Sequence, residues 1–451
     1  MNETPGNAGH GDDDGDQNPF KGTPFEQIFG AMGGGKGMPG GMPDLSALMA
    51  QMQRMMTPHE GPINWDQAVD IARRTIAQQS DPSPSQRQKD AVADAVRLAD
   101  HWLDETTDFP SAVISATAWS RAEWVVETAD TWRTLVEPMA GSAAETLSKA
   151  LPEEARALAG PLIGMLRQLT GSMVANQVGS ALGGLAGEVW GATDVGIPLA
   201  SPGRAALIPA NITAFSDGLD VSEDDVLLYL ALREAAHQRL FASVPWLSEH
   251  LVGAVADYAA GIEINTAGIE EQMRGLDLNN MAAMQEAFEG GLFDMKTSPA
   301  QQAALERLEV TLALVEGWVD EVVGQAADAR MPAASKLAEA VRRRRAAGGP
   351  AEQTFASLVG LELRPRRLRD ASTLWGSLRT RQGTEARDGV WMHPDLLPTA
   401  ADLDDPLGFR EGAEATTLSD EEFDAGLRDL LGDPDSPAEP PADPTTDPTT
   451  D

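Results

Sequence analysis

Between residues 63 and 400, apolar residues recur at three- and four-residue steps, and this spacing predicts one helix after another. The clearest segments are 66–79, 85–104, 120–136, 153–168, 224–243, 248–262, 278–289 and 299–329, with Ser, Asp or Pro near several of their starts. In the last of these, Leu305, Leu308, Leu312, Val315, Val319 and Val322 form one continuous stripe. Strand-like patterning is scarce, and residues 205–209 are its best example. Glycines 171, 179, 183, 184 and 187 punctuate a helical stretch and predict helices crossing at close range. The expected fold class is mainly α, a multi-helix domain with little β structure, flanked by disordered termini.

Composition locates the boundaries. Residues 1–60 are rich in Gly, Met and Pro and read as disordered, with one Met-heavy helical segment at 45–56 suited to adaptable docking. Residues 61–400 form the helical domain, and residues 401–451 an acidic disordered tail with one short amphipathic segment at 420–431. Of the net charge of −36, residues 1–20 contribute −5 and residues 401–451 contribute −14, which leaves −17 for the body and its flank. Most of the excess is therefore a solvating feature of the ends, and nucleic acid is not an expected partner. Unknown protein partners, reached through the two ends, are.

Other classes fall away on simple grounds. With no cysteine, disulfides, thiol nucleophiles and Cys-bound zinc are excluded. The acidic, Gly-rich start has no apolar h-region, and the small-apolar stretch 162–190 contains Arg167, Gln168, Asn176, Gln177 and Glu188. Neither a signal peptide nor a membrane span is expected, and the expected location is cytoplasmic. Residues 30–37 superficially match a phosphate-binding loop, but Gly37 stands where the magnesium-binding hydroxyl belongs and no strand precedes it. The arginines at 342–345 and at 364, 366, 367 and 369 read as a solvated helix end and an internal partner for the acidic tail.

The candidate chemistry lies in Arg233-Glu234-Ala235-Ala236-His237. A zinc-peptidase helix reads H-E-x-x-H, because residues four apart share a helix face and the Glu between them can activate a metal-bound water. Here an arginine stands at the first histidine position, and a guanidinium has no lone pair to offer a metal. None of the histidines at 10, 59, 101, 237, 250 and 393 pairs with another at helical spacing. An otherwise apolar helix should bury Arg233, Glu234 and His237, which must then satisfy one another or a distant group. That group is expected in residues 314–321, where Glu316 and Asp320 lie four apart on one face. A downstream helical Glu supported by an acid one turn later is how one class of zinc peptidases completes its ligand set.

Several separate segments carry a family resemblance. They include Ala116-Thr117-Ala118-Trp119-Ser120-Arg121-Ala122-Glu123-Trp124, Asp194-Val195-Gly196-Ile197-Pro198-Leu199 and Leu207-Ile208-Pro209-Ala210-Asn211. Residues 232–241, Val244-Pro245-Trp246-Leu247 and Arg366-Arg367-Leu368-Arg369-Asp370 extend the likeness over about residues 60–405. The chain resembles an actinobacterial zincin-like family whose members are labelled hydrolases or zinc-dependent metalloproteases. A related branch, associated by name with deazaflavin-cofactor biosynthesis, carries the full H-E-x-x-H. The resemblance implies Glu234 as general base, His237 and Glu316 as zinc ligands, Asp320 in support, and a peptide or protein substrate. Arg233 stands at the first ligand's place. Two readings follow: a zinc-dependent metalloprotease with a degenerate metal site, or an inactive pseudoenzyme in which Arg233 replaces the metal's charge and function lies in binding partners.

Overall fold

The computed structural model describes residues 61–149, 160–260, 298–346 and 367–410. The segments expected at 45–56, 278–289 and 420–431, the Gly-rich loop at 30–37, His10, His59, Arg364 and Arg366 lie outside the described residues. Among the described residues are eleven α-helices and two short strands. In chain order these are α1 (Trp65–Ile76), α2 (Gln86–Leu103), β1 (Ser115–Ala118), α3 (Arg121–Lys149), α4 (Gly160–Ala186), β2 (Arg204–Leu207) and α5 (Pro209–Ser216). Then follow α6 (Glu223–Ser243), α7 (Pro245–Ala260), α8 (Pro299–Asp328), α9 (Ala334–Ala346), α10 (Leu368–Gly389) and α11 (Ala400–Asp404). No described helix is long and apolar enough to cross a membrane.

Local chemistry sets the helix starts. Asn64 caps α1, Ser85 and Ser298 close capping boxes on α2 and α8, and Ser222 caps α6 ahead of Glu223, Asp224 and Asp225, whose charges suit the helix N-terminus. The structure extends two elements beyond their expected limits. The helix expected to end at 136 runs through Pro138 to Lys149, and the glycine-punctuated stretch is the single helix α4. Its glycines do bring helices together, because a Cβ on Gly179 would sit 2.4 Å from the Ala68 carbonyl oxygen of α1.

α6 is the axis of the core. Every residue from Tyr229 to Leu240 is buried, so its polar members had no solvated face to occupy. α2 packs on one side of it and α8 on another, and α10 lies against α8. The α8 stripe is buried at Leu308, Val315, Val319 and Val322. Gly317, next to Glu316, lets α8 and α10 touch: a Cβ there would be 2.5 Å from the Cβ of Ala371 and 2.7 Å from the Ser372 nitrogen.

The β structure is small and specific. β1 pairs with β2 in parallel, Ser115 opposite Arg204 through Ala118 opposite Leu207. On the other side of β2, Ile208 N–H donates to the Trp190 carbonyl at 2.8 Å and Ala192 N–H to the Ala206 carbonyl at 3.0 Å. Gly191 thus bridges Leu207 antiparallel. This pairing fixes the loop after α4 beside the middle of α6.

Gly317→Ala tests the close approach. The overpacking cost of about 1–3 kcal/mol should exceed the roughly 1 kcal/mol that alanine gains in helix propensity. The urea midpoint should fall; an unchanged or higher midpoint would contradict this helix contact.

Candidate functional site

Three residues singled out in the sequence, Arg233, His237 and Glu316, meet in one buried cluster. Glu316 projects from α8 towards α6, where Arg233 Nη2 donates to its Oε2 at 2.5 Å and His237 Nε2 lies 3.2 Å from its Oε1. His237 Nδ1 donates to the Arg233 carbonyl at 2.8 Å, one helical turn back. Both ring nitrogens therefore face oxygen atoms. A second guanidinium group comes from α9, where Arg345 Nη1 lies 2.9 Å from Glu316 Oε1 and Nη2 lies 3.2 Å from Asp194 Oδ1. Burial pushes the Glu316 carboxyl up, but Arg345, His237 and Arg233 together hold it well below the usual carboxylate range.

Glu234 points the other way round α6, to the loop beside β2. Its Oε2 accepts from the Thr193 backbone N–H at 3.1 Å and from Thr193 Oγ1 at 2.6 Å, and its Oε1 accepts from Gln238 Nε2 at 3.1 Å. Burial raises its pKa, and the Thr193 and Gln238 hydrogen bonds oppose that rise without cancelling it. Gly191 makes room for it, since a Cβ there would lie 2.9 Å from Glu234 Oε2. Asp320, one turn beyond Glu316, accepts from Arg342 Nη2 at 2.7 Å and from Ser372 Oγ at 2.9 Å. It neighbours the cluster without touching Glu316's partners directly.

A cavity of about 20 Å³, open on one side, lies among Trp190, Thr193, Arg233, Glu234, His237 and Arg345. It holds one water-sized group. Thr193, Gly191, Trp190 and Arg345 escape a reading of the α6 motif alone. Arg345 belongs to a run expected to be solvated, and the structure corrects that. Arg342 pairs with Asp320, Arg344 lies over the Trp190 ring at 4.1 Å, Arg345 reaches Glu316, and Arg343 alone of the four stays on the surface with Glu339. A helix that advances 100° per residue cannot point four successive side chains at solvent while its flank is docked. Of the later arginines that are described, Arg367 pairs with Asp404 of the acidic C-terminal segment, whereas Arg369 pairs with Glu339 of α9 instead.

The donor set can be compared with what zinc requires, which is at least three lone-pair donors converging with a fourth position open. Here two candidate donors converge, both Glu316 oxygens already hold cations, and Arg233 offers none. Among the described residues there is no group of three His, Cys, Asp or Glu able to hold a metal. The residues present do not fit zinc.

Two substitutions test these electrostatics. Glu316→Gln leaves two guanidinium groups facing a neutral amide, and should cost about 3–5 kcal/mol in urea unfolding; a loss under about 1 kcal/mol would mean that the cluster is not buried as described. Because the folded chain holds the Glu234 proton to higher pH than the unfolded chain does, its ionisation removes stability as pH rises above the ordinary carboxylate range. Glu234→Gln should therefore gain on the wild type between pH 5 and pH 8, whereas a constant difference would contradict the raised pKa.

The comparisons agree with this architecture. A Chloroflexus aurantiacus crystal structure described as a "putative hydrolase with a novel fold" is similar to the chain with a TM-score of 0.53 at 19% identity, covering 76% of this chain and 96% of the other. At that identity the likeness shows the fold alone. No curated protein matches the chain. Residues 63–409, well over half of the sequence, match a family described as zincin-like metallopeptidase. By that match, the chain belongs to the zincin-like metallopeptidase family.

Proposed function

We propose that this chain is a pseudo-metallopeptidase: a zincin-like domain in which guanidinium groups have taken the metal's place, and which binds a peptide or protein without cleaving it. One observation carries the reading, namely that Arg233 and Arg345 each occupy one oxygen of Glu316. A guanidinium supplies positive charge but no coordination position. Zinc lowers the pKa of its water from about 15.7 to about 7, and a hydrogen-bonded arginine does nothing comparable. Glu234 would have to deprotonate an ordinary water, which leaves the hydrolytic step without a competent nucleophile. Protein partners reached through the acidic and Met-rich ends, and a cytoplasmic location, belong to the same proposal; the cysteine-free composition supports the latter.

A second reading, a zinc-dependent hydrolase with Glu234 as base and His237 and Glu316 as ligands, draws support from one contact. The Arg233 carbonyl holds His237 so that Nε2 faces Glu316 Oε1 at 3.2 Å, the way a ligand pair is aimed. The family match and the description of the C. aurantiacus protein support it too.

Elemental analysis of purified protein separates the two. The proposal expects no stoichiometric zinc, and no gain of peptide hydrolysis on adding it. One zinc per chain, lost in His237→Ala, would overturn it. Arg233→His restores an imidazole at the first ligand position and is expected to gain cobalt binding, read from visible absorption. The same absorption from the unsubstituted chain would again favour the second reading.

A further inference from the structure

The cavity beside the cluster has a hydrogen-bonding deficit on its own walls. Arg345 Nε and Trp190 Nε1 are buried nitrogens with no acceptor, and both residues line the cavity. Trp190 is only 3% exposed, so bulk water does not satisfy its N–H. An unpaired buried donor costs about 1–3 kcal/mol, and two at one cavity mark the place of an absent acceptor. Three guanidinium groups, those of Arg233, Arg344 and Arg345, gather there with the His237 ring beside the carboxylates of Asp194, Glu234 and Glu316. Arg344 adds a cation over Trp190 while donating to the Glu188 backbone carbonyl. Burial disfavours the charged form of Glu234, which tips the balance of guanidinium and carboxylate groups towards positive charge. Leu207 and Leu230 complete the wall with apolar surface.

From these features we infer that the cavity is a carboxylate-binding site. One oxygen of the ligand's carboxylate takes the N–H groups of Arg345 and Trp190. The inference rests on the metal-free reading of the same cluster, since Arg345 must stay beside Glu316. The volume of about 20 Å³ admits one carboxylate oxygen at the floor, and the open side leaves the rest of the ligand outside. Free small acids and the C-terminal carboxylate of a peptide share this chemistry.

Calorimetric titration of the full chain, at ionic strength fixed with sodium chloride, tests it with acetate, acetamide, tri-alanine and tri-alanine amide. Saturable binding is expected for acetate and for tri-alanine, and none for either amide. Tighter binding of tri-alanine than of acetate assigns the site to peptide ends; equal or weaker binding assigns it to free acids, and the site stands in both cases. Arg345→Gln, with its fold checked by circular dichroism, should weaken binding at least tenfold. Trp190→Phe, which removes the N–H and keeps most of the ring, should weaken it severalfold. No saturable binding of either acid, equal binding of the amides, or affinities unchanged in both variants would overturn the proposal. Zinc measured in the same sample keeps the two readings apart: zinc-free protein that ignores carboxylates defeats this inference alone, and stoichiometric zinc defeats the pseudo-metallopeptidase.

Discussion

A single buried carboxylate organises this molecule. Glu316 leaves water on a helix packed at the centre of the core, and removing an ion from water costs several kcal/mol even after relaxation. Only cations close to both oxygens offset that cost, and α6 and α9 supply one guanidinium group each, with the His237 ring beside them. The surrounding backbone is shaped to allow it. Gly196 has φ +76° and a Cβ there would lie 3.2 Å from Glu316 Oε1, while Gly317 lets α10 close behind. A side chain at either position would push apart the groups that neutralise one another.

The same solution recurs through the core, and it suits a chain with no cysteine to staple it. On the far side of α6, Arg239 donates to the carboxylates of Asp100 and Asp104 and to the carbonyls of Asp100 and Phe109, which fastens α2 and the segment before β1. Arg387 of α10 is fully buried between Glu321 and Asp388, and Asp388 also accepts from Trp318 and Thr107. These guanidinium groups are planar, permanently charged and able to fork onto two acceptors, which lysine cannot do. The Glu316 cluster is thus one of several ion-pair cores, distinguished by a histidine and by the cavity next to it.

How much of this the sequence discloses depends on the kind of signal each feature leaves. Long helices announce themselves by period, so α1, α2, α6 and α8 are legible almost to their ends. β1 is not, because four residues pairing in parallel leave no alternation to read. The meeting of Arg233, His237 and Glu316 is legible because buried charges on an apolar helix demand partners, and few acids lie on another apolar face. Arg345 is hidden in a run of arginines whose average reads as surface, although the buried acids at 316 and 320 and the half-buried one at 194 demand more cations than α6 can give. Trp190, Gly191 and Thr193 belong to a loop, where position is set by pairing with β2 and no periodicity records it.

Glu234 shows why a surviving motif residue is weak evidence of surviving chemistry. In a working zincin this glutamate is kept for its base. Here it also joins α6 to the β2 edge: Thr193 gives it two hydrogen bonds, and Gln238 bonds both to it and to the Arg204 carbonyl. Replacing it with an apolar residue would strand the Thr193 N–H and hydroxyl in the core, at a cost of about 1–3 kcal/mol each. Packing alone is therefore reason for a glutamate at this position, whether or not it acts as a base. Arg233 sits one residue earlier and turns to the opposite partner, so the motif's two halves answer to different constraints. Arg233 is held by its ion pair with Glu316, whereas Glu234 is tied to the loop it supports.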